Sequence, residues 1–594
     1  MPHVRRFSRV IAQFLDAPAR LAGLLVAVLG CAGCAGEIGE PASSSRSGTP
    51  AAGAGALPGT AAASGPTAQE TKARDEAMRA ANPSLFDTAR TYFPNDTGTS
   101  APKRLFRLTR TQLDVTTKAL LPSHYMSTAV AALPRDPLQT NYEYAENLSF
   151  NAANFTPYTR WVEQLSASVR ANPSSVIDCA AQSNAPSCLE EGAKKFTAKA
   201  FRGLAPEATL QRFSKFYAAS VGQVGFADAT AELVDLTLTS PQYVYRDEVQ
   251  ATGGVLSAAQ QLQNISYTLA DAPPDAVGLP SSAAATQLSG ANALQQTIDK
   301  VLATPAAREK LLRFFISWLE VKEPDEFTIA TEVFPEFTPA VAAAAVEETR
   351  AFLNHQLAGA APKLKDVTQS TQSFVSEALA AIYGQKSRAK SGLVDLDPAQ
   401  RLGIFTQPAV IASHSGPTTT RLVKRGVFFT RKVMCLPLGL PPPGVNTTLP
   451  PAENTTERKR VESATANATC QGCHSFINPF GFMQENYDAI GRWRTTDDGQ
   501  PIDPSVRVEF LDEGPLVART PIDALKGLTA SARFQQCFAR QLFRFYMGRD
   551  EAAGDDPVLR EMFFGFANRG EQDIVSMLKI LARSASFSQR SEKP

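Results

Sequence analysis

Cys470-Gln471-Gly472-Cys473-His474 is the run in this chain whose residue types and spacing specify a chemistry before any fold is known. Two thiols three residues apart, followed at once by an imidazole, form the arrangement that holds a c-type haem. The sulfurs add across the haem vinyl groups, and the histidine ligates the iron from one face. The expected cofactor is therefore one covalent haem c, with Cys470, Cys473 and His474 as its attachment residues. The opposite face of the iron decides its use: Met or His there favours electron transfer, and an open position favours binding or activation of a small oxidant. Past His3 the remaining imidazoles are His124, His355 and His414. His414, in the turn-like Ser413-His414-Ser415-Gly416-Pro417, is the first choice as a second metal ligand. Met483 and Met434 read as core residues, and Met547 as the end of a helix.

Arg492 and Arg494 are candidates for the haem propionates, because a guanidinium matches a carboxylate at two points. Pairing with Asp497 or Asp498 is their plainer use. Glu485 and Asp488, one helical step apart, read by default as a solvated acidic face and otherwise as a loop buttress or cation site. Three other uses of the pentad compete with haem. A zinc site finds three ligands but no second Cys/His cluster to complete a tetrahedron. A thioredoxin-like dithiol needs a strand before and a helix after, and Pro479 and Gly481 speak against that helix. A plain Cys470–Cys473 disulfide remains. No G-x-S-x-G elbow, H-E-x-x-H helix or nucleotide-binding glycine loop is present in the sequence.

The elements that must position these residues read as helices. Leu294, Ile298, Val301 and Leu302 share one helical face, and Thr304-Pro305 reads as the N-cap and first position of the next helix. Leu311, Leu312, Phe315, Trp318 and Leu319 form its apolar stripe. Phe534, Cys537, Phe538, Leu542 and Phe545 share a later face that Gly548 ends, and Ile574, Met577, Leu578 and Leu581 mark a last helix. Leu436-Pro437 to Pro451, with Pro441-Pro442-Pro443-Gly444, reads as an extended covering strap.

The ends and the charge bound the setting. Arg5, Arg6, Arg9 and Arg20 precede an apolar run, Leu21 to Leu29, that is too short to span a bilayer as a mature helix. It leads to Val28-Leu29-Gly30-Cys31, close to a lipobox, with Cys34 as a competing site, so Cys31 is the expected lipid anchor. Gly36 to Gln69 is Ala/Gly/Ser/Pro/Thr-rich and reads as a flexible tether. A net charge of +1 with no basic arm excludes electrostatic capture of nucleic acid. The expected location is the bacterial cell envelope, as an exported outer-membrane lipoprotein that touches the membrane through its lipid only. In an oxidising compartment unpaired thiols are disfavoured. With haem on Cys470 and Cys473, the favoured pairing is Cys179–Cys188 and Cys435–Cys537, among three that four cysteines allow.

These readings give a mainly α, multi-module protein: a signal peptide at 1–34, a tether at 35–83, N-terminal helical modules at 84–225 and a central helical module at 226–388. A cytochrome-c-like module at 389–512 and a C-terminal helical module at 513–594 complete it.

Beyond the pentad, Ile477-Asn478-Pro479-Phe480-Gly481-Phe482, Glu485-Asn486-Tyr487-Asp488 and Gly491-Arg492-Trp493-Arg494 continue a longer pattern. It resembles the planctomycete-type cytochrome-c-like exported proteins, a family assembled from domains of unknown function. Arg107-Leu108-Thr109-Arg110 resembles the family's opening module, and Ala200-Phe201-Arg202 its second. Ser240 to Glu248 and Ser266 to Asp275 resemble its central module, Val423-Lys424-Arg425-Gly426 through Cys435 its haem-type module, and Phe545 to Arg549 its closing one. The chain departs from the family pattern at Arg421-Leu422, where Ser-Pro is usual, at Asn478, where Asp is usual, and at Ala270, where Trp is usual. The resemblance implies a secreted, mostly helical protein with a cytochrome-like C-terminal part. The leading expectation is an envelope lipoprotein using covalent haem for electron transfer or haem-dependent oxidation, toward an unidentified redox partner. The alternative is a non-enzymatic envelope binding or scaffolding protein, for a ligand such as polysaccharide, with Cys470 and Cys473 bonded to each other.

Overall fold

The computed structural model describes residues 68–98, 101–126, 132–139, 142–143, 148–179, 185–249, 254–280, 288, 291–384, 392–440, 449, 451, 453–568, 570 and 572–591. The expected signal peptide, the expected anchor Cys31, most of the expected tether and residues 441–448 of the proline-rich stretch lie outside them. Within the described residues the protein is mainly α, and its sheets are pairs of short strands. No helix there is long and apolar enough to cross a membrane.

Helices form where the local signals are complete. Thr304 caps the helix Pro305–Trp318, its hydroxyl accepting from the Ala307 N–H at 3.3 Å. Ser531 does the same for Ala532–Met547, which Gly548 ends in a left-handed conformation (φ 64°) that costs glycine nothing. The two helices then bury their aromatic stripes against each other. Phe314 stands edge-on to Phe538 at 5.6 Å and Trp318 to Phe538 at 5.4 Å, while the Trp318 indole N–H donates to the Lys432 carbonyl at 2.8 Å. One hydrophobic core therefore runs from Ala89 and Phe93 through Phe315, Phe429 and Phe480 to Phe538 and Phe587. The expected boundaries at 389 and 513 do not divide it. A second core, from Leu108 to Tyr267, likewise crosses the expected boundary at 226. Disulfides join Cys179 to Cys188 and Cys435 to Cys537, the latter across 102 residues of sequence.

One segment assigned to the tether is helical instead. Ala68–Ala81 is rich in Ala, Glu, Arg and Lys, good helix formers that a composition reading of low complexity overlooks. It is pinned from outside: Asp75 pairs with the fully buried Arg560 at 2.7 Å, and Arg74 pairs with Glu561 at 2.8 Å. Arg560 also donates to the Phe93 carbonyl at 2.7 Å. The strand Ala101–Pro102 runs parallel to Arg590–Ser591, so both ends of the described chain meet.

Glu348, buried on the helix Pro339–Gln356, accepts from the hydroxyls of Ser373 and Tyr383. Burial pushes its carboxyl up to about 7. A carboxyl raised in the folded state binds protons that the unfolded state has already lost, so its contribution is full below about pH 4.5 and declines as pH rises to about 7. That change is worth about 3 kcal/mol. His414, held neutral by burial with its pKa near 3, acts in the opposite sense below about pH 6.5. The comparison with Glu348→Gln isolates the carboxyl. The variant's stability relative to wild type should rise steadily between pH 5 and 7.5, as read by denaturant midpoints; a constant difference would mean that Glu348 does not titrate there.

Candidate functional site

The pentad lies in the first two turns of the helix Ala468–Phe482. Asn467 starts that helix: its side-chain oxygen accepts from the Cys470 N–H at 3.0 Å, while its amide donates to the Cys470 sulfur at 3.1 Å. At 3.6 residues per turn, Cys470 and His474 stand about 40° apart around the axis, with Cys473 about 100° from His474. Both thiols are half-buried and unpaired. The His474 Nδ1 is 2.8 Å from the Asn478 Oδ1, one turn further on. Because an amide oxygen only accepts, this contact puts the proton on Nδ1 and leaves the Nε2 lone pair free to bind.

The sequence argument that Pro479 and Gly481 would interrupt a helix here does not hold. The helix passes through both, and the reason is tertiary. It crosses the helix Leu422–Phe428 so closely that a Cβ on Gly481 would stand 2.3 Å from the Leu422 carbonyl oxygen. A Cβ on Gly426 would stand 2.3 Å from the Ile477 carbonyl oxygen. Two glycines thus let two backbones touch. A dithiol fold still lacks its strand, since the helix Glu457–Ala464 precedes the pentad.

Arg425, beside the crossing and 1 % exposed, holds the chain that follows the pentad helix. Its guanidinium donates to the carbonyls of Gln484, Tyr487 and Asp488 at 3.1, 2.7 and 2.7 Å, and to the Ser415 hydroxyl at 2.9 Å. The unusual Arg421-Leu422 start is compensated locally. A proline would have no N–H at 422; here the Leu422 N–H donates to Glu457 at 2.8 Å.

His474 opens onto a cleft of about 720 Å³, shared with Gln471, Asn478, Phe482, Val506 and Val517. Arg458, Arg507 and Arg519 line its sides. These arginines were not singled out from sequence, where nothing but their charge marks them. Arg458 pairs with Glu462 at 2.9 Å and donates to the Asp503 and Ser505 carbonyls, and Arg507 pairs with Glu509; Arg492 and Arg494 are likewise engaged. Arg492 pairs with Asp488 at 2.9 Å and with Glu336, and Arg494 pairs with Asp497 at 2.5 Å and donates to the Thr420 hydroxyl at 2.8 Å. Glu485 and Asp488 form no solvated face. Asp488 is buried and accepts from the Ile490 and Arg492 N–H groups, at 3.0 and 2.9 Å. Glu485, fully buried, accepts from the Arg458 N–H at 2.8 Å, and burial pushes it up to about 7.

The imidazole expected across the iron is not brought to His474. His414 is buried, its Nε2 donates to the Leu319 carbonyl at 2.9 Å, and its ring stacks on Phe428 at 3.9 Å. Burial, reinforced by the nearby cations Lys424, Arg425 and Lys322, keeps it neutral at physiological pH although Glu320 stands 3.9 Å from Nδ1. His124 is held between the Ser168 and Ser175 hydroxyls, and His355 packs edge-on to Phe374. Met434 and Met483 are fully buried in the main core. Among the described residues, no Met and no second His lines the cleft on His474. Nor do three or more His, Cys, Asp or Glu side chains there converge on a point that would hold a bare metal ion.

Two family models match the chain. PSCyt3, described as a protein of unknown function (DUF1588), covers residues 401–497, and PSD4, described as a protein of unknown function (DUF1592), covers residues 256–385. The first spans the glycine crossing, Arg425 and the whole pentad helix, and its name is that of a cytochrome-like family. The second spans Asp271, Lys310 and Glu348. No curated protein and no solved structure matches the chain.

Proposed function

We propose that this chain attaches one haem c through thioethers at Cys470 and Cys473, with His474 as the proximal iron ligand, and works as a cell-envelope electron carrier or haem-dependent oxidant. The observation that carries the reading is the state of His474: Nδ1 is engaged by Asn478, and the residue lines a cleft of about 720 Å³. The donor set has the residue types and spacing the group requires, and of the three only His474 lines the cleft itself. The two thiols are unpaired, half-buried and one turn apart on the helix that bears the imidazole, and the three side chains are too spread to chelate a bare ion. A flat macrocycle with two edge attachments suits that spacing. When bound, haem supplies reversible one-electron chemistry and, at an open sixth position, affinity for small oxidants.

The protein's own contribution is orientation and charge. Asn478 fixes the imidazole tautomer, and its neutral oxygen draws less electron density through the ring than an aspartate in that place would supply. Arg519, which lines the cleft with His474, joins Arg492 and Arg494 as a residue offered to the propionates, while Arg458 and Arg507 on the same cleft pair with Glu462 and Glu509. With no Met or second His on this cleft among the described residues, the reading favours an open sixth position over a saturated electron-transfer iron.

Expression of the full chain with c-haem maturation machinery, followed by acid–acetone extraction and a reduced pyridine haemochrome spectrum, tests it. A c-type spectrum should survive extraction and be lost completely in Cys470→Ser/Cys473→Ser. A colourless, folded wild-type product would sink the haem reading and leave an envelope binding protein with those two cysteines joined.

A further inference from the structure

The proton on His474 is assigned by a series of hydrogen bonds that begins on the backbone of the helix Glu457–Ala464. Thr465, which ends that helix, is 6 % exposed, and its hydroxyl oxygen stands 2.7 Å from the Val461 carbonyl oxygen, one turn back. Two oxygens so close need a proton between them. A carbonyl has none to give, so the hydroxyl donates. Its one proton is then in use, and toward its other neighbour Thr465 can only accept. That neighbour is the side-chain amide of Asn478, 3.2 Å away. The amide therefore turns its nitrogen to Thr465 and its oxygen to the His474 Nδ1, which lies at 2.8 Å. An oxygen that only accepts calls for the proton on Nδ1. The first polarity is fixed by a main-chain carbonyl, and each later one follows from it.

The series is braced by the pentad itself. Gln471, second of the five residues, donates through its side-chain amide to the Thr465 carbonyl at 2.6 Å. The pentad helix thus grips Thr465 twice, through Gln471 and through Asn478, so the hydroxyl acts from a fixed place. What this achieves follows from imidazole chemistry. A neutral histidine free in water prefers its proton on Nε2, and the two ring nitrogens differ only by the bonds each makes. Left to that preference, the ring would offer a bare Nε2 in a minor fraction of molecules, and apparent affinity for anything bound there would fall by that fraction. A tautomer chosen in advance removes the loss.

We infer that Thr465 is a positioning residue for the pentad: its hydroxyl orients Asn478 and so holds His474 with the proton on Nδ1 and the lone pair on Nε2. The use of that lone pair toward iron rests on the haem reading; the place of the proton does not.

Ring-nitrogen NMR of the full chain tests the inference, with histidine labelled at Nδ1 alone and Cys470→Ser/Cys473→Ser present so that no haem attaches. The spectra are recorded where the ring is neutral, and a His474→Gln sample subtracts the other imidazoles. His474 should give the signal of a protonated nitrogen, and Thr465→Ser should keep it. Thr465→Val, close in shape but without the hydroxyl, leaves the Asn478 amide free to turn over, and the signal of a bare Nδ1 should grow about fivefold or more. Thr465→Ala carries the same expectation and serves if the valine variant does not fold. Loss of a bonded hydroxyl lowers stability whatever its role. Only a positioning role moves the tautomer and has serine restore it. A bare Nδ1 in the reference protein, its appearance in Thr465→Ser, or an unchanged tautomer in Thr465→Val would each overturn the inference. A wild type that takes up no haem would sink the proposed function and leave every one of these outcomes as it stands.

Discussion

Gly426→Ala is expected to destabilise the protein by about 3 kcal/mol or more, and Gly481→Ala by a similar amount. In each case the new methyl would stand 2.3 Å from a backbone carbonyl oxygen of the partner helix, where no rotamer change can make room. The helices must move apart, and the pentad helix carries Cys470, Cys473 and His474 with it. Denaturant midpoints should fall, and, on the proposed haem reading, the fraction of chains that attach haem should fall with them. Gly222→Ala is the matched control. That glycine lies within the helix Glu207–Val224 with nothing within 4 Å of the added carbon, so alanine should be neutral or stabilise by about 0.5–1 kcal/mol. A shift at Gly426 or Gly481 no larger than the control's would show that the crossing is looser than described.

Removing the Cys435–Cys537 disulfide should cost about 4–5 kcal/mol in the chain-entropy account, because it closes about a hundred residues of otherwise free chain. The Cys179–Cys188 bond spans 9 residues of sequence, and its loss should cost about 2.5–3 kcal/mol. Guanidinium unfolding of the two double-serine variants measures both. The long bridge also ties the end of the segment Leu422–Val433 to the helix Ala532–Met547, so its loss should bring forward the unfolding of the pentad region. Equal costs, or a larger one for the short bridge, would contradict the entropic origin.

What the sequence made legible was what depends on neighbours in sequence. The helices beginning at Pro305 and Ala532, the cap at Thr304 and the stop at Gly548 are set by residues within a turn or two. The pentad was legible because its two thiols and imidazole lie within five consecutive residues. Contacts across the chain were not. Arg425 looks like any arginine in a basic stretch until three carbonyls from residues 484–488 surround it. Gly426 and Gly481 are separated by fifty-odd residues, and neither announces a helix crossing. Pro479 reads as a helix breaker in isolation, yet tertiary packing holds the helix through it. Arg492 and Arg494 were legible as cations near the pentad, but Glu336, a partner of Arg492, is contributed from well over a hundred residues away.

The pairing of Asp75 with Arg560, and of the strand at residue 101 with that at 590, sets the order in which this protein can be finished. Synthesis delivers the N-terminal helix first, and the groups that clamp it arrive nearly five hundred residues later. At about 5–20 residues per second the early segment waits roughly 25–100 s for its partners. Throughout that interval the apolar side of residues 68–93, with Met78, Phe86 and Phe93, lacks its C-terminal partners Phe563 and Phe564. The chain closes like a clasp on its last turn, which makes a stalled or clipped C-terminus a failure of the whole molecule, and makes the waiting N-terminal helices the natural place for a holding chaperone to bind.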